Sequence, residues 1–292
     1  MLELRNVVKT YGKNVRAVDD ISLELPAGVV GLIGHNGAGK TTLMQMIATI
    51  SRPTSGQIMF DGVDIVKQPD AMRKRLGFLP QDFGVYPNLS ALEFMQYFAA
   101  LKGVRDPARI KHLLELVNLH DHAHKQAAGF SGGMRRRLGI AQALLNDPDV
   151  LIVDEPTAGL DPEERLRFRH LLSEIGFRKL VIISTHIVSD IENMAGRLVI
   201  MNQGRLVGSD TPDNFVQRAR PQVWSATVTP QEYETLRAQV QVLQAQRNEH
   251  GITLRIAHPS SPHADARPAE PSLEEALMAQ RYAVRDHAGL AP

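Results

Sequence analysis

The sequence predicts an α/β protein whose core is a parallel β-sheet covered by helices. Three short runs of valine, isoleucine and leucine, at 29–33, 150–153 and 180–184, are separated by longer stretches with helical periodicity. Strands that are buried on both faces of a parallel sheet have continuous apolar sequences of this kind. We therefore expect these three runs to lie together in the interior.

An antiparallel β subdomain is expected beside this core. The segments 2–9, 15–25 and 57–63 alternate apolar and polar residues or lie between turn residues. Alternation is typical of strands with one buried and one solvated face. The first third of the chain therefore combines both kinds of sheet.

An inserted α-helical subdomain is predicted between about residues 88 and 146. Ser90 followed by Glu93 forms a capping box at its start, and apolar residues then recur at helical spacing. A further helix is predicted after Asp161, a favourable N-cap residue, because Pro162 occupies the first helical position.

The chain is expected to form two domains, a large one over residues 1–215 and a small α+β accessory domain over 216–292. The composition changes near residue 215. Beyond that point, short strands are predicted at 223–228 and 252–256.

The segment 258–271 is rich in proline, serine, alanine and histidine. This composition predicts a mobile linker. A last helix is predicted to start at Ser272, and the accessory domain carries no recognisable chemistry.

Overall composition excludes several classes of protein. The 33 Lys and Arg residues nearly balance 32 Asp and Glu residues, so a net charge of +1 gives no global basic surface and no nucleic-acid partner is expected. The lack of cysteine excludes disulfides and thiolate metal sites. The longest apolar runs are far shorter than the roughly 18 residues of a membrane helix, and the N-terminus shows no export signal.

The strongest motif is GHNGAGKTT, which has the spacing of a phosphate-binding loop (P-loop) between a buried strand and a helix. Its glycines allow backbone N–H groups to surround phosphate oxygens at a helix N-terminus. Lys40 is expected to contact the β- and γ-phosphates, and Thr41 to bind Mg²⁺. The motif predicts a P-loop NTPase (RecA-like) core, which leaves kinase, GTPase and ATPase open. The expected nucleotide-binding residues are Gly34, His35, Asn36, Gly37, Ala38, Gly39, Lys40, Thr41 and Thr42.

A second motif, VLIVDE, discriminates among these classes because it ends a buried strand with two carboxylates. Asp154 is expected to reach the metal shell. Glu155 is expected to face the γ-phosphate and the attacking water, which favours ATP hydrolysis.

Between these motifs lies FSGGMRRRLGIAQALL, and with it the sequence resembles the ATP-binding cassette (ABC) family. The family signature is usually Leu-Ser-Gly-Gly-Gln, of which this chain keeps Ser131, Gly132 and Gly133 but has Met134 in place of glutamine. A serine N-cap followed by glycines exposes backbone donors at a helix start. The resemblance implies that this second cradle faces the ATP held by the other subunit of a dimer.

Other landmarks of the family follow in the expected order over about residues 2–208. The resemblance implies that Tyr11 stacks on adenine and that Gln81 touches both Mg²⁺ and water. It also implies that Asp161 lies in a loop that crosses to the opposite site, and that His186 contacts the γ-phosphate. Glu155, His186, Gln81 and Lys40 form the implied catalytic set, with ATP and Mg²⁺ as cofactors.

The resemblance further implies the ATP-binding and ATP-hydrolysing subunit of a transporter, acting as a homodimer or heterodimer beside a separate membrane permease. It is closest to bacterial multidrug, antibiotic or ion exporters with ABC-2 (type 2) permeases. Such a subunit is cytoplasmic and peripheral on the inner face of the cell membrane. Transported substrate and transport direction do not follow from the sequence.

Two alternatives stay open. One is a non-transport ABC ATPase acting on ribosomes or DNA, although the two cassettes, coiled coils or zinc modules of such proteins are not evident in the sequence. The other is an ATP-dependent regulatory binding module, which the carboxylate pair Asp154 and Glu155 disfavours. The run Arg135–Arg137 and the alternating His120, His122 and His124 are interpreted as local salt links and a solvated loop.

Overall fold

The computed structural model describes residues 1–12 and 14–287, with side chains described up to residue 280. Its contacts divide the chain into two compact units, residues 1–209 and a second unit from Asp210 onward. The composition change placed the domain boundary at residue 215. The predicted roles of the two domains stay predictions.

The first unit alternates strands and helices along the chain. Its strands are β1 (Leu2–Tyr11), β2 (Val15–Leu25), β3 (Gly28–Ile33), β4 (Ser55–Phe60), β5 (Val63–Asp64), β6 (Leu76–Leu79), β7 (Val150–Asp154), β8 (Leu180–Thr185), β9 (Arg197–Asn202) and β10 (Arg205–Asp210). Its helices are α1 (Lys40–Ile47), α2 (Pro69–Arg73), α3 (Ala91–Leu101), α4 (Pro107–Leu116), α5 (Gly132–Ala143) and α6 (Pro162–Gly176), with short 3-10 turns at His120–His122, Ala127–Gly129 and Val188–Asp190.

The central sheet has the order β10-β9-β3-β8-β7-β6. The pairs β9-β3, β3-β8, β8-β7 and β7-β6 are parallel. Every residue of β7 and β8 is buried, which explains why their sequences lack alternation. The predicted parallel α/β core is confirmed, and the three apolar runs lie in the adjacent strands β3, β8 and β7.

A second sheet of the same unit, in the order β2-β1-β4-β5, is antiparallel, as predicted. Its inner side chains, including Leu4, Ile21 and Ile58, share one apolar core with Val30 and Ile152 of the central sheet. This shared core holds the loops of the antiparallel sheet close to the end of β3.

The predicted helical insertion is formed by α3, α4 and α5. The capping box is present: the Ser90 backbone N–H donates to Glu93 Oε2 (2.8 Å), and the Glu93 N–H donates to Ser90 Oγ (3.3 Å). Both α3 and α4 pack against α5. Among the described residues, no helix combines the length and apolarity that a bilayer crossing requires.

Lys102, just beyond α3, joins this subdomain to the central sheet. Its Nζ donates to the carbonyl of Gln142 (3.0 Å) and to Oδ1 of Asn146 (2.9 Å) at the end of α5. The Asn146 amide donates in turn to the carbonyl of Lys74 (2.9 Å), just before β6. The ammonium therefore lies where the α5 dipole favours a positive charge.

The second unit contains an antiparallel sheet in the order β12-β13-β11-β14. Leu254 and Ile256 are fully buried in one of its apolar clusters, and Ala276 belongs to a second cluster. The segment expected to be a linker includes the short strand β14, which pairs with β11. The elements are α7 (Pro212–Ala219), a 3-10 turn at Arg220–Gln222, β11 (Val223–Val228), α8 (Pro230–Leu236), β12 (Gln241–Asn248), β13 (Gly251–Ala257), β14 (Arg267–Pro268) and α9 (Leu273–His287).

We predict a pH-dependent contribution of Lys102 to stability. Burial lowers the pKa of Lys102 from 10.5 to about 8. Between these two values the unfolded chain binds a proton at this lysine that the folded chain does not, so rising pH stabilises the folded state by up to about 1.4 kcal/mol per pH unit. Urea unfolding of the wild type and of Lys102→Met between pH 7.5 and 10 should show this increment only in the wild type. Identical slopes in both proteins would contradict it.

Candidate functional site

The loop Gly34–Gly39 connects β3 to α1 and is shaped by its glycines. Gly39, the N-cap of α1, has a φ of 97°, in the left-handed region. A Cβ on Gly39 would lie 2.2 Å from the carbonyl oxygen of Ala17, and one on Gly34 would lie 2.6 Å from that of Met201. Two neighbouring backbone segments therefore press on this loop and leave no room for side chains at these positions.

Lys40, the first residue of α1, is buried inside the loop. Its Nζ donates hydrogen bonds to the carbonyl oxygens of Gly34 (2.6 Å) and His35 (3.2 Å). Burial lowers the pKa of Lys40, and the negative charges of Glu155 and Asp154 oppose this shift. The ammonium is thus a buried positive charge at the centre of the P-loop.

Asp154 and Glu155 end the buried strand β7. Asp154 is buried and accepts a hydrogen bond from the Ser184 hydroxyl, while that hydroxyl accepts from the Glu155 N–H (3.0 Å). Glu155 has a φ of 46°, an uncommon value for a residue with a side chain. Ser184 on β8 therefore fixes both residues in place.

The Glu155 carboxylate lies between two basic groups. Its Oε2 is 2.9 Å from Nδ1 of His186, and its Oε1 is 3.8 Å from Nζ of Lys40. Glu155 is buried and Oε1 has no hydrogen-bond partner within the described part of the chain, whereas the His186 side chain is 51% exposed. A buried carboxylate oxygen in this position can accept a proton from a water molecule.

A cleft of about 650 Å³ opens at this edge of the central sheet. Residues 35–42 of the predicted nucleotide-binding set line it, together with Gln81 and Glu155. Its other lining residues were not predicted: Val15, Arg16, Ala17 and Gln203. Val15, Arg16 and Ala17 belong to β2, and Gln203 lies between β9 and β10. Tertiary packing brings them to the P-loop, and no local motif marks them.

Four of the predicted nucleotide, catalytic and metal residues lie outside the cleft lining: Gly34, His186, Asp154 and Tyr11. Asp154 is buried behind it. Tyr11 is 44% exposed and is the strand partner of Val15, which does line the cleft. Ser184, which sequence reasoning missed, lies only two residues before His186, so its place at the end of an apolar strand was the available signal.

The signature residues lie at the start of α5, away from the P-loop cleft of the same chain. The Ser131 side chain caps α5 by accepting from the Met134 N–H (3.1 Å). Gly132 lines a second cavity of about 490 Å³ together with Gln81. Gly133 is buried, and a Cβ there would lie 2.7 Å from a Glu164 oxygen. This arrangement leaves the Ser131 end of α5 exposed.

The start of α6 lies beside the signature helix. Asp161 caps α6 by accepting from the Glu164 N–H (2.9 Å). Glu164 also pairs with Arg137 of α5 (3.3 Å), so the interpretation of the arginine run as a source of local salt links is confirmed for Arg137. The loop that carries Asp161 is thus fixed next to the signature.

Comparisons with known proteins agree on one family. The family described as "ABC transporter" matches residues 18–158. The chain is 38% identical over 221 residues to the Nod factor export ATP-binding protein I of Cupriavidus metallidurans, covering 74% of this chain and 73% of that protein. It is 38% identical over 201 residues to the ABC transporter ATP-binding protein NatA of Bacillus subtilis, covering 67% of this chain and 82% of that protein.

The fold also matches solved structures. A dimeric structure of an ATP-binding cassette in a post-hydrolysis state, bound to ADP and Pi, has a TM-score of 0.66 and 25% sequence identity. The match covers 72% of this chain and 98% of that one. The P-loop, the strand-end carboxylates and the overall architecture therefore agree with the same assignment.

We predict that Gly39→Ala destabilises the protein and abolishes ATP binding. Alanine at this position adds both left-handed strain and a 2.2 Å contact with the Ala17 carbonyl, so we expect a loss of more than about 3 kcal/mol. Urea unfolding and calorimetric titration with ATP measure the two effects. Gly62→Ala is the control, since Gly62 has a φ of 81° with open space around it. It should cost only about 1–2 kcal/mol and keep ATP binding; equal effects of both substitutions would refute the proposed contact.

Proposed function

Because this chain belongs to the ABC transporter family as an ATP-binding subunit that hydrolyses ATP, we propose that it drives export through a separate membrane permease of the ABC-2 type. The observation that carries its ATPase part is the Lys40–Glu155–His186 arrangement, in which Lys40 and Glu155 line the P-loop cleft and His186 contacts Glu155. A similar protein of Cupriavidus metallidurans is named for Nod factor export, which supports the direction.

ATP is proposed to bind with its phosphates in the cleft formed by the P-loop. Backbone N–H groups at the start of α1 and the Lys40 ammonium supply positive charge there. To reach phosphate oxygens, the ammonium would exchange its hydrogen bonds with the Gly34 and His35 carbonyls for contacts with those oxygens. Tyr11 is proposed as the adenine platform, because its strand partner Val15 lines the cleft.

Thr41, Gln81 and Asp154 are proposed to hold Mg²⁺. A hydroxyl, an amide oxygen and a carboxylate are the hard oxygen ligands that this ion prefers, and Thr41 and Gln81 both line the cleft. When bound, Mg²⁺ supplies positive charge against the phosphates. The residues present therefore fit the ion.

Glu155 is proposed to orient the attacking water and to accept its proton. The carboxylate is fixed for this role by the His186 imidazole on one oxygen and faces Lys40 with the other. Because His186 is half-exposed and contacts Glu155, which lines the cleft, its ring is proposed to meet the γ-phosphate. Lys40 and His186 then stabilise the charge that develops as the phosphoryl group leaves.

Two such subunits are proposed to enclose two ATP molecules. Ser131, Gly132 and Gly133 of one subunit would meet the phosphates held by the P-loop of the other, since the exposed helix start provides backbone donors. Asp161, fixed beside the signature, would cross to the opposite site. Either two copies of this chain or one copy and a related chain fit this arrangement.

The permease is proposed to dock on an aromatic patch of the helical subdomain, which would hold the subunit on the inner face of the cell membrane. The patch consists of Tyr86, Tyr97, Phe98 and Leu101. Tyr86 contacts Tyr97 and Phe98 at ring separations of 5.5 and 6.4 Å. Tyr86, Tyr97 and Leu101 are exposed by 50%, 45% and 66%, an unusual concentration of large apolar groups on a surface.

We predict that Glu155→Gln lowers ATP turnover by about a hundredfold or more, because the amide cannot accept a proton from water. ATP binding is retained, and in ATP and Mg²⁺ the variant should accumulate as a dimer. Phosphate release and light scattering measure the two effects. Glu163→Gln is the matched control, since Glu163 pairs with Arg167 on the surface of α6. Turnover by Glu155→Gln equal to that of the wild type would refute the catalytic role, and a persistent monomer would refute the homodimer.

We also predict that Tyr86→Ala with Tyr97→Ala releases the chain from membranes of its native host without changing the ATPase rate of the isolated chain. Buried aromatic anchors cost about 2 kcal/mol each when truncated, which weakens docking about 30-fold per residue. Quantitative blotting of membrane and supernatant fractions tests this. Phe177→Ala is the control, because Phe177 is an exposed aromatic residue outside the patch. Equal retention of all variants would exclude the patch as the docking surface.

A further inference from the structure

A buried polar pair joins the two loops that carry Glu155 and His186. Thr157 and Asp190 are each only 2% exposed, and the Thr157 hydroxyl donates a hydrogen bond to Oδ2 of Asp190. Neither residue lines the cleft. We call this hydrogen bond the Thr157–Asp190 brace.

Together with the Glu155–His186 contact, the brace closes a ring that is formed by the two loops. Thr157 follows Glu155 by two residues, and Asp190 follows His186 by four. Beyond the bond from the Glu155 N–H to Ser184 at the strand ends, the two loops are therefore joined at the Glu155–His186 contact of 2.9 Å and at the brace. A single contact between two loops leaves them free to pivot about it, whereas two contacts fix their relative position.

Helix α6 holds the Asp190 side of this ring. The Arg165 Nε lies 3.7 Å from Oδ1 of Asp190, and the Arg169 guanidinium donates to the carbonyl of Ser189 (2.7 Å). On the other side, the Leu160 N–H donates to the carbonyl of Thr157 (3.2 Å). The Asp190 loop is thus anchored to α6, and the Thr157 loop is closed by a turn of its own.

Burying this polar pair costs free energy of folding, which favours a role other than packing for Thr157 and Asp190. Among the described residues, Oδ1 of Asp190 has no hydrogen-bond partner and faces Arg165 only at ion-pair distance. A buried carboxylate with incomplete partners is less favourable than an apolar side chain of similar size. The stability of the fold does not account for its presence.

We infer that Asp190 and Thr157 are positioning residues that hold His186 against Glu155 during ATP hydrolysis. The His186 ring is half-exposed, and Glu155 is its only polar contact among the described residues, so the loop behind it must set its direction. The inference rests on the proposed roles of Glu155 and His186. Small misplacement of a catalytic group reduces the chemical step more than substrate binding.

The test is the steady-state ATPase of the full chain with Thr157→Val, which is close in shape but lacks the donor. We expect kcat to fall about ten- to a hundredfold with KM for ATP unchanged. Thr157→Ser restores the hydroxyl and should restore kcat. Arg167→Gln, two residues after Arg165 on α6 but paired with Glu163 and Glu164, is the control and should match the wild type.

A second variant keeps the test valid if Thr157→Val fails to fold. Thr157→Val combined with Asp190→Leu replaces both polar partners by apolar groups, so that no buried carboxylate is left without its donor. It should fold and show the same loss of kcat. Wild-type kcat in either variant, or a loss of kcat in Thr157→Ser equal to that in Thr157→Val, would overturn the inference. Glu155→Gln tests the proposed function separately. If Glu155→Gln loses turnover while Thr157→Val keeps the wild-type kcat, the positioning role of the brace is rejected and the proposed function stands.

Discussion

The site depends on burying opposite charges together at the end of an apolar sheet. Lys40, Asp154 and Glu155 are all nearly inaccessible to solvent, and the pKa of Lys40 reflects both the cost of burial and the attraction of the two carboxylates. Removing one partner of such a group costs about 3–5 kcal/mol, because the remaining charge stays buried. The surrounding structure therefore serves chiefly to hold these charged groups in fixed positions relative to one another.

The order of the strands in the central sheet sets those relative positions. The strand β8 lies between β3 and β7, so the loop after β3, the carboxylates after β7 and His186 after β8 emerge side by side. Ligand sites in open α/β sheets form at the carboxyl ends of parallel strands for this reason. The Ser184 hydroxyl then links β8 to both carboxylate residues, which turns adjacency of strands into a fixed arrangement of side chains.

Features with a strong local cause were predictable from the sequence. The P-loop spacing, the apolar strands and the caps at Ser90 and Asp161 each follow from neighbouring residues, and the structure contains these elements. The lining residues Arg16 and Gln203 were not predictable, because packing of distant segments brings them to the cleft. Strand β12 was missed because it is a largely exposed strand at the edge of its sheet. Its sequence therefore lacks the alternation of apolar and polar residues that marks a half-buried strand. The Thr157–Asp190 brace likewise joins two loops whose proximity only the folded sheet creates.

The position of β8 has a consequence for synthesis of the chain on the ribosome. β8 is the last of the three central strands to be translated, yet it must enter between two strands that were made before it. A nascent chain that ends before residue 180 can present the P-loop, but it lacks both the strand that joins β3 to β7 and the imidazole beside Glu155. An emerging chain therefore has no complete Glu155–His186 pair until β8 and the loop after it have left the ribosome.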